Sequence, residues 1–458
     1  MNDITAFFAF LKYCLGYKEN MSRVIAGMNW HELYSFASKQ ALLGLCFEGI
    51  EKLGEEYPEE LKRNPIGREL LMTWMGKAQQ ISRQNMKVNA VAGKLFSMLR
   101  EDGLRCCILK GQGNALMYPN PYFRTPGDID VWIDASRERI MEYSQKKFEL
   151  EDDIRLQHLE TSLDGVSVEL HFFPCSMNNP IYHARLQKWF RRNADLQCSH
   201  IVRLPDGAGD IAIPTTAFNV IYQLTHLYHH FFDEGIGMRQ IIDYFLVVND
   251  FSKNVFLNND LSNHPVNFSN HPVPLSKEGS TFSPSPSSSG SGDVTAPSRC
   301  SEPLRSKDGG ASKPSPDCAG WDRLAIEGDN SAGSTTVVTS SASTALDVVQ
   351  RELKYLGLWK FAGAVMYVLH EALGLSDGKM IAPMDEKRGK LLLAEILNGG
   401  NFGQHFTKYG HFTQQGMAKK YFLKIWRNMH FVRYYPAEAL SEPIFRTWHF
   451  FWRLKHRR

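Results

Sequence analysis

Three short apolar runs with strand-like character fall close together in a chain whose remaining texture is helical. They are "RCCILKG", "GDIDVWID" and "VSVELHFF", all between residues 105 and 173. In the third, Val166, Val168 and Leu170 alternate with Ser167, Glu169 and His171, the two-residue period of a strand. Between the last two, "SRERIMEYSQKKFEL" carries Ile140, Tyr143 and Phe148 at helical spacing. The region from 96 to 205 is therefore expected to form a small mixed β-sheet with flanking helices.

Residues 1–95 read as helical. "WHELYSFASKQALLGLCFEGIEKL" sets Leu33, Phe36, Ala37, Ala41 and Leu42 on one stripe, as a core-packed helix does. "PTTAFNVIYQLTHLYHHFFDEG" is expected to start its helix at Thr215 or Thr216 and end at Gly235. From 251 to 345 the composition turns to Ser, Pro, Gly and Asn, and the unit "SNHPV" occurs at 262 and again at 269. Such a segment buries too little apolar surface to offset its ordering entropy. It is expected to be a disordered insertion between 206–250 and 346–458, two parts of one helical domain. The fold class is thus α+β, a small mixed sheet with flanking helices, N- and C-terminal helical regions and an insertion.

The chain has 458 residues, 43% of them hydrophobic, enough for a sizeable core. Its net charge of +3 announces no nucleic-acid partner. The 8 cysteines form no C-x-x-C pair, and reduced thiols in a cytoplasmic protein are the expectation. No apolar run approaches the ~20 residues of a membrane-spanning helix. The N-terminus lacks the basic start and cleavage site of a signal peptide, and reads as an amphipathic helix.

Within "TPGDIDVWID", Asp128 and Asp130 stand one residue apart in an apolar run. In a strand they share a face, where two carboxylates repel and raise each other's pKa. A divalent cation removes that penalty, and oxygen ligands suit Mg²⁺ or Mn²⁺. Glu169 joins the pair if its strand lies beside that of Asp128 and Asp130. Three such carboxylates can hold two metals for in-line displacement at phosphorus. Asp134 does not turn the stretch into a calcium loop, because Val131, Trp132 and Ile133 are apolar and the loop glycine is missing. A D-x-D alone also fits a solvated strand end.

Upstream, "ILKGQGNALMY" reads as strand, turn and helix, with the helix starting near Gln112. Backbone N–H groups at that start can receive an anion, and Gly111 lets a phosphate approach closely. Lys110 offers a point charge and Arg124 a fork for phosphate, although each alone also reads as surface charge. The glycine pattern is not that of a P-loop. His226, His229, His230 and Asp233 share helical spacing and suggest metal ligands, caps or a cleft wall. Arg239 and Asp243 are expected to pair along their helix. His171 shares the face of Glu169 and can orient a carboxylate or approach a phosphate.

Taken together, strand–"LKG"–helix, then "GDIDVWI" preceded by Arg124, then "VELH", resemble the nucleotidyltransferase superfamily of the DNA polymerase β type. More narrowly they are similar to the bacterial group of uncharacterised nucleotidyltransferases. The histidines His158 and His171 around the third strand and "HLYHHFFDEGIGMRQIIDYFLVV" fit that group too. The resemblance implies that Gly111 binds the triphosphate and that Asp128, Asp130 and Glu169 bind the metals. It implies an enzyme moving a nucleoside monophosphate from an NTP to an acceptor, be it small molecule, protein or RNA. Lys-Gly-Gln replaces the superfamily's usual Gly-Gly or Gly-Ser, and the Ser/Pro insertion is foreign to it. Two other readings stand beside it. One is a D-x-D glycosyltransferase, which needs a larger α/β domain ahead of the motif. The other is a nucleotide-binding module without catalysis.

Overall fold

A computed structural model of the protein describes residues 3–150, 155–260, 344–404 and 417–456. Its central sheet has four strands: β1 (Cys106–Leu109), β2 (Ile129–Ile133), β3 (His158–Leu163) and β4 (Val166–His171). Their spatial order is β1-β2-β4-β3, with β2 and β4 parallel and the outer pairs antiparallel. The sheet is mixed, as the sequence implies. β3 is an addition to the expected strands. It is joined to β4 by Asp164 and Gly165, both with positive φ (51° and 70°). Asp-Gly suits a two-residue hairpin turn because both positions need left-handed backbone. A second, two-stranded sheet pairs β5 (Ile201–Arg203) with β6 (Asp210–Ala212).

β2 is buried along its whole length because both its faces are covered. Ile129, Val131 and Ile133 face a core shared with Val88, Val91, Leu95 and Leu99 of the long helix Arg68–Glu101. Trp132 belongs to the other core and stacks on Phe218 of the helix Thr216–Asp233, ring centroids 6.2 Å apart. Alternation along the strand puts Asp130 on the Trp132 face. That second core also gathers Phe10, Leu33 and Trp74 with Phe231, Tyr244, Phe361 and Val365. Buried side chains from the start of the chain and from beyond residue 344 therefore pack into one core.

Two expectations change in the helical parts. The stripe from Leu33 to Leu42 is interrupted: Leu33, Phe36 and Ala37 lie on the helix Trp30–Lys39, while Ala41 and Leu42 fall in the break before the helix Leu43–Glu56. Ala41 breaks them with φ 57°, and tertiary hydrogen bonds hold the break. Thr125 Oγ1 donates to the Ala41 carbonyl (2.7 Å), and the buried Gln40 side chain takes the Met238 N–H and donates to the Ile396 carbonyl. The helix Met238–Asp260 also runs past the expected boundary at 250. Phe251 and Ser252 are buried there, and Ser252 Oγ lies within hydrogen-bond reach of the Lys379 carbonyl. The expected insertion falls mostly on 261–343, outside the described residues. Among the described residues no helix is long and apolar enough to cross a membrane, and the six cysteines are unpaired.

Candidate active site

The site begins where β1 ends. Lys110 adopts φ 51° and ψ −129°, and Gly111 has φ 37° before the five-residue helix Gly111–Ala115. A lysine in that region costs roughly 1–3 kcal/mol and persists only where its surroundings hold it. Here the side chain folds back onto the sheet. Its Nζ lies 2.9 Å from Asp130 Oδ1 and 2.7 Å from His226 Nε2.

The parallel register of β2 and β4 pairs Asp130 with Glu169. His171 bridges them, its Nε2 3.1 Å from both Asp130 Oδ1 and Glu169 Oε2. Behind it, Gln157 Nε2 lies 3.3 Å from His171 Nδ1. Asp128 precedes the strand instead of lying in it, and its side chain stands at the exposed rim. The two aspartates are therefore unequal. The negative charge of Asp130 foremost, with that of Glu169 adding to it, pushes the Asp128 carboxyl up to about 7. Burial works to raise Asp130 too, but Lys110 and His171 outweigh it and hold that carboxyl well below the usual range. Burial works to lower His171, while its hydrogen bonds to Asp130 and Glu169 raise it to about 9. Burial lowers His158 to about 3.

A cleft of about 50 Å³ opens above these groups, lined by Lys110, Gly111, Arg124, Gly127, Asp128, Asp130, Gln223, His226, Leu227, Arg239, Gln240, Asp243 and Phe402. Arg124 is buried and gives a two-pronged hydrogen bond to Asp243, 2.8 Å on each prong. Its third nitrogen, Nη1, has no partner, and neither has Arg239 Nε. Two orphaned cationic donors in one cleft beside Lys110 fit an anionic ligand such as a phosphate chain. Arg239 does not take the expected place beside Asp243. Asp243 accepts from Arg124 and Tyr118, and Arg239 Nη1 donates to the Thr125 carbonyl.

Gln112 does not reach the cleft with its side chain, which is buried and bonded to Asn89. The histidines of the Thr216–Asp233 helix divide. His226 and His230 lie 3.1 Å apart behind Lys110, while His229 and Asp233 line a different cavity. Among the described residues the group spaced to hold a metal is instead His158, Glu169 and His171, whose ligand atoms lie within 4.8 Å of one another. The carboxylates of Asp128, Asp130 and Glu169 suit a hard divalent cation, and the charge crowding on Asp128 is what such a cation relieves. These residues fit the metal that the motif implies.

Sequence reasoning missed β3, Gln157 and the free donor of Arg239. The Asp164-Gly165 dipeptide was a signal for the first; the other two have no local signature. Among the described residues only β1 precedes the D-x-D strand, and the rest of that stretch is helical, unlike the larger α/β domain that a nucleotide-sugar transferase needs there. The model of the family described as uncharacterised nucleotidyltransferase matches residues 26–262. No curated protein and no solved structure matches the chain. The match takes in every strand among the described residues, the carboxylate cluster and both arginines of the cleft, and the chain belongs to the uncharacterised nucleotidyltransferase family.

Proposed function

We propose that the protein transfers a nucleoside monophosphate from an NTP to an acceptor and releases pyrophosphate. The observation that carries this is the register of β2 with β4, which sets Glu169 against Asp130 with Asp128 at the rim of the same cleft. Asp128, Asp130 and Glu169 are the residues that would hold Mg²⁺ or Mn²⁺. When bound, the metal neutralises charge on the phosphates and on the leaving oxygen.

The rest is done by the chain itself. Lys110, Arg124 Nη1 and Arg239 Nε receive the phosphate oxygens, and Asp243 fixes the Arg124 fork before the nucleotide arrives. Such preorganised donors stabilise developing charge without reorganising. Gly111 and Gly127 line the cleft with backbone alone, and Gly111 takes a φ of 37° that side-chain-bearing residues rarely adopt. His171 holds Asp130 and Glu169 in place and makes their close approach tolerable. Glu169 takes the proton of the acceptor as its oxygen attacks the α-phosphorus.

The test is metal-dependent pyrophosphate release. Asp128→Asn and Asp130→Asn are expected to abolish it while leaving the circular dichroism spectrum unchanged. Full activity in either variant would refute the mechanism.

A further inference from the structure

A second cavity, about 330 Å³ in volume, shares no lining residue with the first. Its inner end is His158, whose Nδ1 stands 3.3 Å from Glu169 Oε2. Its outer wall comes from Lys424, Glu442 and Arg446, which lie beyond the matched 26–262. The wall is tied to the sheet module by Glu438, which accepts the Asn178 and Asn179 N–H groups.

Two of the lining side chains leave polar atoms without hydrogen bonds, Nδ1 of His229 and Oε2 of Glu442, while the His158 ring nitrogens lie 3.3 Å from Glu169 Oε2 and 3.5 Å from Glu160 Oε1. Glu442 is 2% exposed. Orphaned atoms this deep call for a ligand or ordered water. The carboxylate oxygen needs a donor, while an imidazole nitrogen gives or takes. A hydroxyl does both. The charges on the wall are already balanced: Asp233 Oδ1 takes Lys424 Nζ and Arg446 Nη2, each at 2.8 Å, and Arg446 also pairs with Glu442. An anionic ligand would have to break those pairs. The volume is that of a small-molecule site and leaves no room for a folded partner.

We propose that this cavity binds the acceptor, and that the acceptor is a small uncharged polyhydroxy molecule of the sugar or cyclitol class, with one hydroxyl at His158 beside Glu169. The inference rests on the nucleotidyl-transfer reading above. In the step, the acceptor oxygen bonds to the α-phosphorus of the NTP while the bond from that phosphorus to the bridging oxygen breaks. Pyrophosphate leaves with the bond electrons, and the hydroxyl proton passes to Glu169. His158, which lines the cavity beside Glu169, orients the hydroxyl.

The test uses the full chain with α-³²P-labelled NTP, Mg²⁺ or Mn²⁺, and a defined panel of uncharged monosaccharides and cyclitols. Label is expected to appear on a panel member. Glu442→Gln and His229→Asn are each expected to raise the KM for that molecule about tenfold or more, as loss of a buried polar contact does. The KM for NTP should move less than about twofold, as for separate subsites, which also shows that the variants fold. Label on the protein itself, or pyrophosphate release without label on any panel member, would overturn the acceptor class and leave the transfer reading intact. Label on a panel member with an unchanged acceptor KM in both variants would overturn the cavity. Absence of pyrophosphate release with any acceptor would overturn the transfer reading, and this inference with it.

Discussion

Arg124 shows how one side chain serves both stability and binding. It is 4% exposed, and two of its nitrogens are spent on Asp243, itself 4% exposed and also bonded to Tyr118. Removing the arginine strands a buried carboxylate. Arg124→Ala is expected to lower stability by about 3–5 kcal/mol in urea unfolding. Arg124→Lys is not a conservative change either, because a lysine cannot span both carboxylate oxygens and still point a donor into the cleft. It should weaken nucleotide binding in titration calorimetry even where the fold survives. From sequence, Arg124 was legible as a phosphate candidate by its place just ahead of the D-x-D. That two-thirds of its fork is committed to Asp243 was not, since the partner lies on a distant helix. The same holds for Arg239, whose spacing to Asp243 suggested a local pair that tertiary contacts override.

At the scale of elements, what fixes the site is close packing against the segment leading into β2. A Cβ on Gly44 would lie 2.2 Å from the Phe123 carbonyl oxygen, and backbone must move to admit it. Gly44→Ala is expected to cost about 1–3 kcal/mol by overpacking, and to weaken nucleotide binding by shifting Arg124 and Asp128. Gly54 sits on the same helix with nothing within 4 Å, so Gly54→Ala should be neutral or stabilising by up to about 1 kcal/mol. Thermal melts of the two variants side by side check this. Strands β1, β2 and β4 were legible because their short apolar runs end in turn residues or alternate. β3 was missed because Glu160 and Ser162 dilute its apolar pattern, although Asp164-Gly165 marks the hairpin. The break at Ala41 is invisible locally, because it is held by Gln40 and Thr125 reaching across the fold.

Across the whole molecule, the last helix, Pro436–His456, closes the second cavity through Glu438. Burial pushes that carboxyl up to about 7 from an ordinary 4.5, against the pull of the Asn178 and Asn179 N–H groups. Between those values the unfolded chain has released the proton and the folded chain keeps it. The contribution of this group to stability is therefore present below pH 4.5 and lost as pH rises toward about 7. Glu438→Gln should flatten the melting temperature over that window and leave its slope above pH 7 unchanged. Of this cavity only His229 and Asp233 were legible as a cleft wall, by their helical spacing; His158 and Glu442 come to line it with them only through the fold. The pairing of Asp130 with Glu169 was legible, since one parallel register sets them side by side, whereas Asp128 lies ahead of the strand that the two-residue period placed it in.

The central claim is that this cluster, with Lys110, Arg124 and Arg239 beside it, moves the α-phosphoryl of an NTP. The most direct measurement supplies the same NTP labelled with ³²P at the α- or the γ-phosphate, with Mg²⁺ or Mn²⁺ and cell lysate as acceptor source. The prediction is that the α label becomes attached to an acceptor and the γ label leaves as pyrophosphate, and that Asp130→Asn stops both. Transfer of the γ label to an acceptor, or release of either label as orthophosphate alone, would contradict it.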